Sequence, residues 1–204
     1  MGYWIILPVI GYLIGSIPFG FIAGRLISGV DVRNHGSGMI GMTNVVRTVG
    51  YRIGIPVLLL DLSKGIVTIT LVRIITPTAT PGIESISALA VIIGHIWPVF
   101  AGFRGGRGIA PGLGGLMALE PITGLIAGMT GAITIAISRY VSLGSILGTI
   151  SGSVILIILY LNGNIPIEYI WYVLIGAPLV IIKHKDNISR LINGNERRIG
   201  KRSE

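Results

Sequence analysis

Apolar residues gather into seven runs separated by short polar or glycine-rich stretches: 3–27, 53–75, 83–103, 108–119, 122–137, 141–161 and 165–182. A membrane-crossing helix needs about 20 mostly apolar residues, and most of these runs meet that length. The first contains Pro8 and Pro18, which membrane helices accept when neighbours satisfy the freed carbonyls. It is too long for a simple signal-peptide core and lacks a basic leading region, so it is expected to be retained. The second carries Asp61 and Lys64 in its interior. The fourth is the short one: twelve residues rise about 18 Å at 1.5 Å each, against a hydrocarbon core of roughly 30 Å. The pattern predicts an all-α integral membrane protein, a single membrane domain over 1–204 with a basic tail from 183 to 204.

The placement of charge predicts orientation. Arg33, Arg47 and Arg52 lie between the first and second runs, Arg104 and Arg107 after the third, and Arg139 between later runs. Lys183, Lys185, Arg190, Arg197, Arg198, Lys201 and Arg202 fill the tail, while Glu84, Glu120 and Glu168 fall in the other connections. Lys and Arg mark the cytoplasmic side, so the N-terminus is expected outside and the tail inside. An even number of crossings must then separate Arg107 from Lys183. Splitting 108–138 at Glu120-Pro121 supplies it and gives seven transmembrane helices, one of them short or re-entrant. Five full spans with irregular pieces is the fallback.

Composition narrows the function. Of 204 residues, 51% are hydrophobic and 12% charged, about half the charge of a soluble domain. The chain has no cysteine, which excludes disulfide frameworks, thiolate catalysis and thiolate-bound metal centres. Sixteen Lys and Arg against eight Asp and Glu leave a net charge of +8, serving membrane orientation first and an anionic partner second.

Four polar clusters could carry chemistry. The stretch 31–47 holds Gly36, Ser37, Gly38, Gly41, Thr43, Asn44 and Arg47. Its glycines permit turns whose N–H groups cradle anions, and Arg47 offers a fork for phosphate. A glycine-rich cytoplasmic loop carrying orientation charges fits the same residues. The stretch 94–108 places Gly105, Gly106 and Gly108 around Arg107, a phosphate-loop chemistry without the Walker A pattern. His95 there reads more readily as a packing or helix-end residue than a catalyst, and Trp97 and Phe100 as interfacial anchors. In the third cluster His184 and Asn187 share a helical face at i, i+3, amid basic residues that anionic lipid would also hold. Asp61 and Lys64, also i, i+3, are either a functional intramembrane pair or a structural ion pair.

Taken together, the clusters resemble the bacterial acyl-phosphate:glycerol-3-phosphate acyltransferases, from Gly15-Ser16-Ile17-Pro18-Phe19-Gly20 to Glu196. The family's D-x-R-x-x-G-S-G-N-x-G-A-T-N-x-x-R segment corresponds to 31–47. Its D-x-x-K-G corresponds to Asp61, Lys64 and Gly65, and its G-H-x-x-P-x-F-x-x-F-x-G-G-K-G-V-A-T to 94–111. Its closing H-x-x-N-I-x-R-L-x-x-G-x-E corresponds to His184, Asn187, Ile188, Arg190, Leu191, Gly194 and Glu196. This chain departs from the family at four of these positions: Met39 replaces Asn, Met42 replaces Ala, Arg107 replaces Lys and Pro111 replaces Thr.

The resemblance implies seven helices with an external N-terminus. It also implies acyl transfer from acyl-phosphate to the 1-hydroxyl of glycerol 3-phosphate, at the cytoplasmic face of the cell membrane, giving lysophosphatidic acid and phosphate. By matched position, Ser37, Arg47, Arg107, His184 and Asn187 are the expected catalytic residues. Gly36, Gly38, Thr43, Asn44, Gly105, Gly106 and Gly108 are expected around the substrates. No cofactor, metal or nucleic acid is implied; the expected partners are the two substrates, the bilayer and the enzyme that supplies acyl-phosphate. An organic-phosphate transporter and a non-catalytic membrane paralogue are the alternative readings.

Overall fold

A computed structural model describes residues 2–76, 78 and 80–199; the tail cations Lys201 and Arg202 lie outside the described residues. The chain is all-helical. Among the described residues ten α-helices run α1 Tyr3–Ser16, α2 Phe19–Ser28, α3 Met42–Val49, α4 Tyr51–Ile75, α5 Pro81–Ile96, α6 Ile109–Leu119, α7 Pro121–Ser138, α8 Val141–Leu161, α9 Glu168–Lys183 and α10 Lys185–Ile192. Five stretches, Tyr3–Ser28, Tyr51–Ile75, Pro81–Ala101, Pro121–Ser138 and Val141–Leu161, are long and apolar enough to cross a bilayer. The two remaining apolar runs form shorter helices, α6 with 11 residues and α9 with 16. Ile5, Leu26, Ile74, Ile137 and Leu161 stand largely exposed on the outer surface, as a lipid-facing surface requires.

Each boundary has a local cause. Pro18 has no N–H and ends α1. At the predicted split, Glu120 caps α7 by accepting the Thr123 N–H at 2.6 Å, with Pro121 in the first helical position. Small residues set the helix spacing. The α carbons of Gly11 and Gly15 press on the Ser87 and Val91 carbonyls of α5, and Gly131, Gly144 and Gly148 bring α7 onto α8. No side chain would fit there, the close-approach packing of membrane bundles.

The intramembrane pair closes the break between α1 and α2. Lys64 Nζ donates to Asp61 Oδ1 at 2.6 Å, to the Ile17 carbonyl at 2.6 Å and to the Gly15 carbonyl at 3.2 Å. The Gly15 and Ile17 carbonyls at this break thus accept from a side chain of α4. Of the two readings of this pair, the geometry supports the structural one. At the opposite end of the bundle, Arg73 forks onto Glu84, which also accepts the Tyr169 hydroxyl, joining α4, α5 and α9.

Candidate functional site

Three of the four polar clusters, those of 31–47, of 94–108 and of His184 and Asn187, meet at one end of the bundle. Loop 31–41 is organised from within. Arg33 donates to Asp31 through Nε (3.0 Å) and Nη2 (2.8 Å) and to the Ala101 carbonyl at 3.2 Å, so this pair is scaffolding. Asn44, 1% exposed, shares its Nδ2 among the Val32, His35 and Met39 carbonyls while its Oδ1 accepts the Ser37 N–H at 2.8 Å. Gly36 is at φ +60°, with Asn44 Oδ1 where a Cβ would stand. One buried amide therefore shapes the whole loop and delivers Ser37.

Ser37, Arg47, Arg107, His184 and Asn187 all line one polar cavity of about 90 Å3. Thr43, Asn44 and Gly106 share its wall. Gly36 and Gly38 turn the loop behind Ser37 at φ +60° and +70°. Gly105 packs on the His95 and Ile96 carbonyls, and Gly108 lines a neighbouring cavity instead. Of the departing residues, Met39 and Met42 line the polar cavity, and Pro111 lies buried in the first turn of α6.

Ser142 and Ser145, which no sequence motif marks beyond a pair of hydroxyls at i, i+3 just after Arg139, line the same cavity from the first turns of α8. Glu196, without a predicted role, organises this wall. It accepts Asn187 Nδ2 at 2.7 Å, the Ser142 hydroxyl at 2.9 Å and Arg190 Nε at 2.8 Å. Burial disfavours its charge, yet these three donors prevail and hold its carboxyl below the ordinary value.

The cavity favours an anion. Burial, then repulsion from Arg197, lowers the Arg47 guanidinium from its ordinary value; burial and Arg190 do the same to Arg107. Both remain cations that gain from a buried phosphate. Among the described residues, Arg107 Nε and Asn187 Oδ1 are buried polar atoms with no hydrogen-bond partner, a donor and an acceptor open to a ligand. The first turns of α3, α6 and α8 contribute Met42, Ile109 and Val141 to the wall, adding the partial positive charge of their helix N-termini.

His184 Nδ1 lies 2.8 Å from the Val180 carbonyl. A carbonyl only accepts, so Nδ1 carries the proton and Nε2 is the ring's acceptor. Burial, aided by the Arg107 cation, pushes the imidazole from 6.5 down to about 4, against the Val180 carbonyl, which favours the charged form. Stability follows with a definite sign. Above pH 6.5 both folded and unfolded forms are neutral; between 6.5 and about 4 the unfolded chain takes up the proton first, so stability is lost as pH falls through that window. His184→Asn should therefore lose less Tm across it than the wild type, measured by thermal unfolding in detergent. Equal losses would contradict the assignment.

A second cavity, of about 310 Å3, adjoins the first. Its wall is mainly apolar, with Leu113, Leu116, Ala132, Ile135, Val173 and Val180. Met42, Thr43, Ile109, Val141 and Ser145 line both cavities. A small cationic chamber thus shares a wall with a slot suited to a hydrocarbon chain.

Residues 5–194 match the family model described as glycerol-3-phosphate acyltransferase. A glycerol-3-phosphate acyltransferase of Desulforamulus reducens is 43% identical over 97% of this chain and 96% of its own length. One of Halalkalibacterium halodurans is 39% identical over 97% of each. A crystal structure of PlsY, an integral membrane glycerol 3-phosphate acyltransferase in its glycerol 3-phosphate form, superposes with TM-score 0.86 at 36% identity, covering 97% of this chain and 96% of that one. Its lysophosphatidic acid form gives 0.84 at 35%, covering 97% and 95%.

Proposed function

The chain belongs to the glycerol-3-phosphate acyltransferase family of integral membrane enzymes, and we propose that it draws its acyl group from acyl-phosphate at the cytoplasmic face. It is an acyltransferase of phospholipid synthesis that acylates glycerol 3-phosphate. The observation that carries the donor reading is the junction of the two cavities. Acyl-phosphate is a phosphate joined to a long hydrocarbon, and the cationic chamber and the apolar slot lie side by side, both lined by Met42, Thr43, Ile109, Val141 and Ser145.

In this reading Arg47 and Arg107 hold phosphate and offset charge in the transition state. His184 and Asn187 orient glycerol 3-phosphate, His184 Nε2 and Asn187 Oδ1 being acceptors suited to its hydroxyls. Ser37 hydrogen-bonds near the acyl-phosphate. The 1-hydroxyl oxygen bonds to the acyl carbon, the bond from that carbon to the phosphate oxygen breaks, and the hydroxyl proton ends on the phosphate released. The donor is already activated, so positioning and charge stabilisation supply the catalysis. Glu196, held by three donors, is occupied as a clamp.

The same reading puts the cation-rich end in the cytoplasm of a cell-membrane protein with seven crossings and an external N-terminus, and makes a supplier of acyl-phosphate the partner at that face. Asp61 and Lys64, the deep charges a transporter would need, are taken up by each other and by α1. Purified protein given labelled glycerol 3-phosphate and palmitoyl-phosphate should form lysophosphatidic acid, and palmitoyl-CoA should not replace the donor. Turnover with palmitoyl-CoA alone would overturn the donor assignment. Accumulation of glycerol 3-phosphate in proteoliposomes without turnover would instead favour transport. Cysteines introduced one at a time into this cysteine-free chain test the topology: Glu120→Cys should label from outside.

A further inference from the structure

His95 is 3% exposed at the last turn of α5 and does not line the polar cavity. Three contacts locate it. Its carbonyl accepts the Gly106 N–H at 3.0 Å. Its ring lies so close to Gly106 that a Cβ there would overlap it. Its Nδ1 is 3.6 Å from Asp61 Oδ1, the oxygen that Lys64 grips at 2.6 Å, and is buried without a hydrogen-bond partner among the described residues. The imidazole is thus wedged between the residue immediately before Arg107 and an ion pair anchored on the Gly15 and Ile17 carbonyls.

We propose that His95, backed by Asp61 and Lys64, is a positioning residue that fixes the 105–107 backbone and so aims Arg107 at the substrate phosphate. This rests on the reading of Arg107 as a phosphate-binding residue. Gly106 has no side chain to resist rotation of the loop, so the ring supplies the missing stop. The path runs from the break in the first apolar run, through α4 and the end of α5, to a guanidinium in the cavity. A histidine that merely filled space would stabilise the protein without selecting for phosphate. A positioning residue acts through Arg107, and its effect disappears when Arg107 is gone.

A double-mutant cycle separates the two roles. His95→Ala should lower kcat/KM by about tenfold, mainly through KM for glycerol 3-phosphate, since small misplacements of a binding group cost this much or more. In an Arg107→Ala background the same substitution should change kcat/KM by less than about twofold, the non-additivity expected of coupled residues. Hydrogen exchange supplies a readout independent of turnover: His95→Ala should raise exchange across 104–108 while α7 and α8 keep their protection. If His95→Ala does not fold, His95→Leu, closer in volume, enters the same cycle. The same factor in both backgrounds, or unchanged exchange at 104–108, would overturn the proposal while leaving the phosphate role of Arg107 intact. An Arg107→Ala variant with unaltered KM and kcat would remove that role and this proposal together.

Discussion

Arg107→Ala should lower kcat/KM for acyl transfer to glycerol 3-phosphate by about 100- to 1000-fold, the loss typical of removing one preorganised charge-stabilising donor from a buried site. The guanidinium is half-buried, and its Nε has no hydrogen-bond partner among the described residues. A phosphate oxygen would end both deficits at once, through a charge-assisted hydrogen bond. Arg47 across the same cavity cannot take over, because it approaches from α3 on a different wall. Arg107→Lys should retain much more activity than Arg107→Ala, because lysine keeps the charge and loses only the fork. Initial rates with labelled glycerol 3-phosphate at fixed palmitoyl-phosphate measure both variants. A loss below threefold in Arg107→Ala would mean that this guanidinium does not meet the reacting phosphate.

Lys64→Ala should destabilise the protein by about 3–5 kcal/mol, the cost of stranding one member of a buried ion pair. Asp61 is 2% exposed, and without Lys64 its carboxylate faces only the more distant His95. The Gly15 carbonyl loses the Lys64 donor in the same step, and the Ile17 carbonyl keeps only the Phe19 N–H. That sum is a large share of an ordinary folding free energy of about 5–15 kcal/mol, so low yield and a steep fall in Tm in detergent are expected. The double variant Asp61→Leu, Lys64→Met should recover a substantial part, because an apolar pair of similar volume avoids the stranded charge. A drop of only a degree or two in Lys64→Ala would show that the break between α1 and α2 is held by other contacts.

The apolar runs were legible in the sequence because length and hydropathy fix membrane helices almost by themselves. The split at Glu120-Pro121 was legible for a local reason: an acidic cap followed by a proline at the first helical position. The break at Pro18 could be read, but not what fills it, since the donor arrives from Lys64 on another helix. Ser37, Arg47, Arg107, His184 and Asn187 were legible as separate loop motifs, and the fold brings them to one cavity. Asn44 illustrates what spacing cannot convey. An amide among glycines reads as a ligand, yet here all its polar atoms are engaged in shaping the loop. Ser142 was hidden because a hydroxyl at the start of an apolar helix carries no periodic signal. The clamp by Glu196 was hidden because it depends on chain reversal after α10.

After α10 the chain turns back at Gly194, Glu196 reaches Ser142, Asn187 and Arg190, and the Ile199 N–H donates to the Arg139 carbonyl at 2.9 Å. The wall that holds Asn187 therefore depends on residues translated after every apolar run. The Asn187 side of the chamber is thus closed by a segment that follows all the membrane helices and folds back onto the start of α8.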